Sequence, residues 1–365
     1  MAGNGSVIVS ECSWNRALGL DENGTGSIET ADSSPGLYGY FVVYPLLVLC
    51  GTAGSVVIIA AQLRDHTSRL TSTSVYIVCV GFGDLCILWS LFPDYVTAIA
   101  ENLVNAANTS ILGGNSSVDV LAAYRGFGSF WYRTAKEVVD WTFVIFSVER
   151  LLVTARPLSA ALRQTDADAW RKTLAKECCI LVLAVLFSLS HLVTYYYYYT
   201  NFYDSTLSYQ DSLTPSLSRW YNLQITAQTG MSFAKWLLLL ILNTALIIVL
   251  WKHQTSTNVT VTVNKRSSTR NANILVLASL TVYTLTQLPH VILECLKMAS
   301  RPPYCSLSLT NEEVSHVSWF VDLLQLSNYS ITFFVYFLSS PKFRRQCQVL
   351  CGKGVTSAQT DVACI

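Results

Sequence analysis

Four ionisable side chains fall within eight positions of an otherwise apolar run, "GFGSFWYRTAKEVVDWTFVIFSVERLLV": Arg133, Lys136, Glu137 and Asp140. On a helix, Arg133 and Glu137 lie four residues apart, as do Lys136 and Asp140, so each pair can meet on one face. Charge left unpaired in a bilayer costs several kcal/mol, so such groups turn toward other protein. Three chemistries follow from this pattern: a self-neutralising ladder, a polar floor for a ligand with a switch beneath it, or a relay for protons or ions. Hydrolytic and redox chemistry find no footing. No nucleophile is spaced with a base, and the eleven cysteines show neither CxxC pairs nor metal-ligand spacing.

The elements that must carry these charges are helices in a membrane. The chain has 365 residues, of which 52% are hydrophobic and 13% charged, against about 25% charged in ordinary soluble domains. Net charge is +1, so nothing indicates nucleic acid binding. A bilayer span needs about 20 mostly apolar residues. Seven stretches qualify: 38–63, 73–99, 127–153, 174–197, 229–251, 272–298 and 314–338. The expected fold class is an all-α membrane protein, a seven-transmembrane helix bundle over 37–340. An extracellular N-terminal tail, 1–36, precedes it, and a short amphipathic helix with a cytoplasmic tail, 341–365, follows. The tail has no basic n-region and apolar h-region, so no cleavable signal is expected.

Lysine and arginine counts set the orientation. With the N-terminus outside, the inner segments and helix ends hold sixteen, from Arg64 and Arg69 through Arg150, Arg156 and Lys176 to Arg344, Arg345 and Lys353. The outer segments hold five: Arg16, Arg125, Arg219, Lys297 and Arg301. Glycosylation sequons at Asn4, Asn23, Asn108 and Asn115 all fall on the outer side, whereas those at Asn258 and Asn328 do not. In "SSPKFRRQCQVLCGKG", Phe343, Cys347 and Leu350 are expected to face lipid, with Lys342, Arg344 and Arg345 at the headgroups. Cys347 and Cys351 become palmitoylation candidates.

A further set of residues, in order, carries a resemblance. "VERLLVTARPL" places Glu149 and Arg150 at the inner end of the third span; Asp84 stands mid-span in "VGFGDLCILW"; "YTLTQLPHV" puts Pro289 inside the sixth span; and "LLQLSNYSITFFVYFLSSPKFRRQ" ends the seventh with Asn328 and Tyr336. Together they resemble rhodopsin-like (class A) G-protein-coupled receptors. The form "VLASLTVYTLTQLP" with "LILNTALIIVL" is closest to invertebrate FMRFamide-type neuropeptide receptors. The resemblance implies a plasma-membrane receptor, not an enzyme, coupling an extracellular peptide ligand to a heterotrimeric G protein. Asp84, Glu149, Arg150, Asn328, Tyr336 and Pro289 would serve the switch, with a possible sodium ion near Asp84. Departures are equally specific: Ser55 replaces the span-one asparagine, Leu151 ends the D-R-Y motif, and Thr332 opens the N-P-x-x-Y motif. Arg125 stands where the family has a cysteine, and loop 198–228 offers no partner for one, so the usual outer disulfide is missing. Cys12 and Cys305 are the cysteines left well outside the membrane on that face.

Aligning Asn243 with the family puts Lys235 where these receptors carry a proline, against residues matching Asp140 and Tyr283. The resemblance therefore implies a buried Asp140–Lys235 ion pair near Tyr283. Higher up, Asp94, Tyr132, Arg133, Lys136, Gln287, His290, Glu294 and Asp322 are expected to line one outer cavity. Its acids would suit a cationic group such as the arginine of an Arg-Phe-amide peptide, and Tyr132 in place of the aminergic aspartate argues against an amine. The competing functions are a divergent receptor-like protein without G-protein signalling, and an ion- or proton-coupled transporter. Against the transporter stand the odd span number and the absence of repeated halves.

Overall fold

The computed structural model describes residues 35–64, 72–93, 95–96, 99, 115–155, 169–203, 215–255, 263–300, 304, 306–307 and 311–350. Asn4, Asn23, Asn108, Asp94, Cys12, Cys305 and Cys351 lie outside them. Among the described residues the principal elements are all helices: α1 (Pro35–Arg64), α2 (Ser72–Ser90), α3 (Asn115–Ala155), α4 (Ala169–Tyr203), α5 (Pro215–Thr255), α6 (Val263–Ser300), α7 (Asn311–Ser339) and α8 (Pro341–Leu350).

Four stretches are long and apolar enough to cross a membrane: Val42–Arg64, Ser72–Ser90, Ala169–Ser190 and Leu223–Lys252. Only a quarter to a half of each is buried inside the protein. Their remaining surface is apolar, as on α4, where Val182, Leu183, Leu186 and Val193 all point outward. A soluble protein would hide such a face; a bilayer solvates it. α3 falls outside this group because its charges crowd into 133–140.

Helices run further than the hydrophobic stretches. α3 begins at Asn115, inside the segment expected to be an outer loop, where Asn115, Ser116 and Ser117 are of the types that start helices. α5 starts at Pro215, and proline suits a first helical position because its missing N–H would have no intrahelical partner there. α6 starts at Val263, so Lys265, Arg266 and Arg270 stand on a helix rather than in a linker.

Packing closes a ring. α1 lies against α2 and α7, α2 against α3, α3 against α5, α5 against α6, and α6 against α7; α4 sits outside α3 and α2. Gly51 lets α1 approach closely, since a Cβ there would lie 2.4 Å from Leu88 Cδ1 and 2.9 Å from Ser330 Oγ. Ser330 Oγ donates to Leu47 O at 2.8 Å, tying α7 to α1. The main core gathers Tyr76, Val80, Val139, Phe143, Leu239, Tyr283, Leu326 and Tyr329 at the centre of the ring.

α8 corrects one expectation. Phe343 and Cys347 do not face outward; both are buried with Ile58, Ala61, Ile77 and Tyr336. Arg344 and Arg345 are exposed. The apolar stripe of this short helix covers the ends of α1 and α7, because the alternative would leave those ends uncovered as well. Ser340 caps it by accepting from Phe343 N–H at 3.3 Å. The Cys347 thiol is thus packed against α1 and α7.

Candidate functional site

The ladder within α3 is not built. Among the described residues, Arg133, Glu137 and Asp140 bond to partners on other helices, and Lys136 makes no hydrogen bond or close ion pair. Asp140 Oδ2 accepts from Lys235 Nζ of α5 at 2.9 Å, and its other oxygen accepts from the Tyr283 hydroxyl of α6. Glu137 also accepts from Lys235, at 2.6 Å. Arg133 donates to Gln228 Oε1 at 2.6 Å. The i,i+4 pairs Arg133–Glu137 and Lys136–Asp140, expected from spacing, thus give way to cross-helix bonds. The physical reason is that Lys235 enters with three donors directed at two carboxylates one turn apart, and a bond that also joins two helices gains packing with it.

Lys235 and Asp140 are each only 5% exposed in their side chains. Such a pair offsets its desolvation only when further hydrogen bonds complete it. Glu137 and Tyr283 supply them here. Next to this junction, Trp236 Nε1 donates to Thr284 O at 3.0 Å and Asn243 Nδ2 to Thr284 Oγ1 at 3.3 Å, fixing α5 against α6. Phe143 lies against Tyr283, ring centroids 4.8 Å apart.

Beside the junction lies a cavity of about 390 Å³. Of the residues expected in an outer pocket, Tyr132, Arg133, Lys136, His290 and Glu294 line it. Gln287 borders a smaller void that also touches Asp140, Lys235 and Tyr283, and Lys136 and His290 border both spaces. Asp322 does not line the cavity: its side chain is 56% exposed, with a carboxylate oxygen 4.0 Å from His290 Nδ1. Sequence reading placed Glu137 in the charged floor but not among the pocket residues, and it missed Gln228, Ser232 and Lys297. Two periodic stripes could have revealed them. Gln228, Ser232 and Lys235 follow one another at four and three residues, and Tyr283, Gln287, His290, Glu294 and Lys297 do the same along α6, which places each set on one face.

The other end of α3 is arranged differently. Glu149 does not pair with Arg150. It accepts from Lys176 of α4, while Arg150 donates to Thr73 Oγ1 of α2 and stacks over Phe146 with its guanidinium carbon 5.2 Å from the ring centroid. In between, Asp84 is buried with Oδ2 lacking a hydrogen-bond partner, and it faces Thr332 of α7. That spare oxygen suits a monovalent cation, although α3 presents apolar Val139 at the adjacent turn, close against Gly83. Asn328 and Tyr336 are both buried, and Asn328 O accepts from Thr332. Pro289 stands inside α6, where it removes one backbone donor and permits a bend. Asn115 is the first residue of α3.

Compared with known proteins, the chain matches no family model and no curated sequence.

Proposed function

We propose that this chain is a cell-surface receptor of the rhodopsin-like kind. All of α1–α7 cross the plasma membrane, with the N-terminus outside and α8 on the inner face. A peptide ligand binding in the cavity promotes nucleotide exchange on a heterotrimeric G protein. One observation carries this reading above the rest. A ligand-sized cavity bounded by α3, α4, α5 and α6 adjoins the Lys235–Asp140–Tyr283 junction, and the helix that supplies Asp140 carries Arg150 in its last two turns, which end at Ala155. Three of the four charges that keep α3 from reading as an apolar span, Arg133, Glu137 and Asp140, are met inside the protein by Gln228 and Lys235, and Lys136 faces the cavity, so they are compatible with a helix in the bilayer.

The bonds present support the following mechanism. Lys235 joins α5 to α3, and Tyr283 joins α6 to the same carboxylate. A ligand that reaches Lys136, Glu137 or His290 touches this junction directly. If it binds better to one arrangement of α3, α5 and α6 than to another, it shifts the population toward that arrangement. The bend at Pro289 allows the inner part of α6 to follow. Arg150, held by Thr73 and Phe146 rather than by Glu149, would exchange those contacts for the G protein. The proposed partners are a heterotrimeric G protein, membrane lipid and an extracellular peptide.

A second-messenger assay tests the proposal in cells shown to display the protein on their surface, exposed to a panel of peptides with Arg150→Ala alongside. A response that the wild type gives and the variant loses supports a coupled receptor. A response equal in both sinks the role of Arg150. Silence of the displayed wild type across the panel, with no basal activity, favours a receptor-like protein without signalling.

A further inference from the structure

Both carboxylates on the cavity wall are already engaged. Glu137 accepts from Lys235 and Glu294 from Lys297, the latter at 3.2 Å. A cationic ligand group would have to displace one of those ammonium groups. Lys136 differs. It borders the cavity and the void beneath, and among the described residues it has no carboxylate within 4.0 Å and makes no hydrogen bond. The acid one turn below it, Asp140, is held by Lys235 and Tyr283. Lys136 is half-buried, and Asp140, Glu137 and Glu294 act on its charge from a distance, yet its three N–H donors are left open toward the cavity.

We infer that a ligand takes up these open donors: the cavity takes a carboxylate, held by the Lys136 ammonium. Arg133, directed along the same wall by Gln228, adds to the positive field. Phe187, Ile225 and Tyr132 supply surface for the carbon skeleton. At about 390 Å³ the space lies near the lower end of ligand cavities. It holds a small organic acid, or an acidic residue or free C-terminus of a peptide, and the shared chemistry is the carboxylate. This reverses the sequence-based expectation of a cationic ligand group, which counted acids without knowing which were already bonded. The inference rests on the reading of the cavity as a ligand site and does not depend on coupling to a G protein.

The test uses the purified full-length protein near neutral pH, with its thermal unfolding midpoint as the readout. Phenylacetate and succinate are each compared with the neutral amide, and a short peptide with a free C-terminus is compared with its amidated form. Acids that raise the midpoint where their amides do not support the site, and whichever arm responds tells small acid from peptide. Lys136→Met should weaken that binding about 10- to 100-fold, the size of one charge-assisted hydrogen bond. Lys136→Gln serves if the first variant does not fold, and Lys136→Arg should restore part of the effect. Equal behaviour of every acid and amide on the wild type overturns the inference, as does acid binding that survives loss of the Lys136 charge. Stabilisation by acids without any nucleotide exchange supports the carboxylate site while removing the receptor function.

Discussion

The two charged regions of α3 solve the same problem in opposite ways. At Glu137–Asp140 the charges are enclosed, and their partner Lys235 is 5% exposed in its side chain. At Glu149 the partner Lys176 is 48% exposed, and the pair sits at a helix end. A buried network needs every member, because removing one strands another in low dielectric. An exposed pair leaves either partner to water, and its net worth is small. The comparison suggests a division of labour. The enclosed region holds three helices in a defined relation, and the open end keeps Arg150 on contacts that can be exchanged.

The largest effect should come from Lys235→Met, which removes the cation that bonds both Glu137 and Asp140. Destabilisation of about 3–5 kcal/mol is expected, read from thermal or denaturant unfolding of the purified protein. Asp140→Asn should cost less, since Glu137 still holds Lys235, and the double variant should cost less than the sum of the two singles. Strict additivity would mean that the two side chains do not interact. Gly83→Ala comes next. Its Cβ would lie 2.3 Å from Val139 Cγ2, so α2 and α3 must separate at about 1–3 kcal/mol; an unchanged midpoint would show that the two helices are not in close contact. Thr142→Val removes the donor that gives Glu177 Oε2 a bond at 2.7 Å, while Oε1 already has no partner. A loss of about 1–3 kcal/mol is expected from the same unfolding measurement. The smallest effect belongs to Lys176→Ala, at about 0–1 kcal/mol, and what there is should shrink as salt rises. A large effect there would break the contrast between the two ends.

Much of this arrangement was legible before any coordinates. Hydrophobic run length marked the helices, because burial in either protein or lipid leaves the same apolar record. The Lys235–Asp140 pair was legible through the resemblance: aligning Asn243 with rhodopsin-like receptors puts Lys235 at their proline position, against the residues matching Asp140 and Tyr283. Partner choice was less legible. Spacing along α3 offered Glu137 to Arg133 and Asp140 to Lys136, but local spacing says nothing about what neighbouring helices present, and tertiary contacts with Lys235 and Gln228 prevailed. Gln228 and Ser232 carried little signal singly, since one polar residue in an apolar run is common; only their shared face with Lys235 gives them meaning. The orientation of α8 was misread for a related reason. An amphipathic stripe reveals that one face is apolar, not whether lipid or protein covers it, and Phe343 and Cys347 found protein.

The most direct test of the receptor reading is nucleotide exchange on a purified heterotrimeric G protein by the reconstituted full-length chain, with Arg150→Ala and Lys235→Met in parallel. The account predicts that the wild type accelerates exchange. Arg150→Ala should lose that acceleration while keeping the wild-type unfolding midpoint, and Lys235→Met should alter both. Acceleration that is undiminished in Arg150→Ala would contradict it, as would a correctly folded wild type that leaves exchange at its uncatalysed rate with every ligand tried.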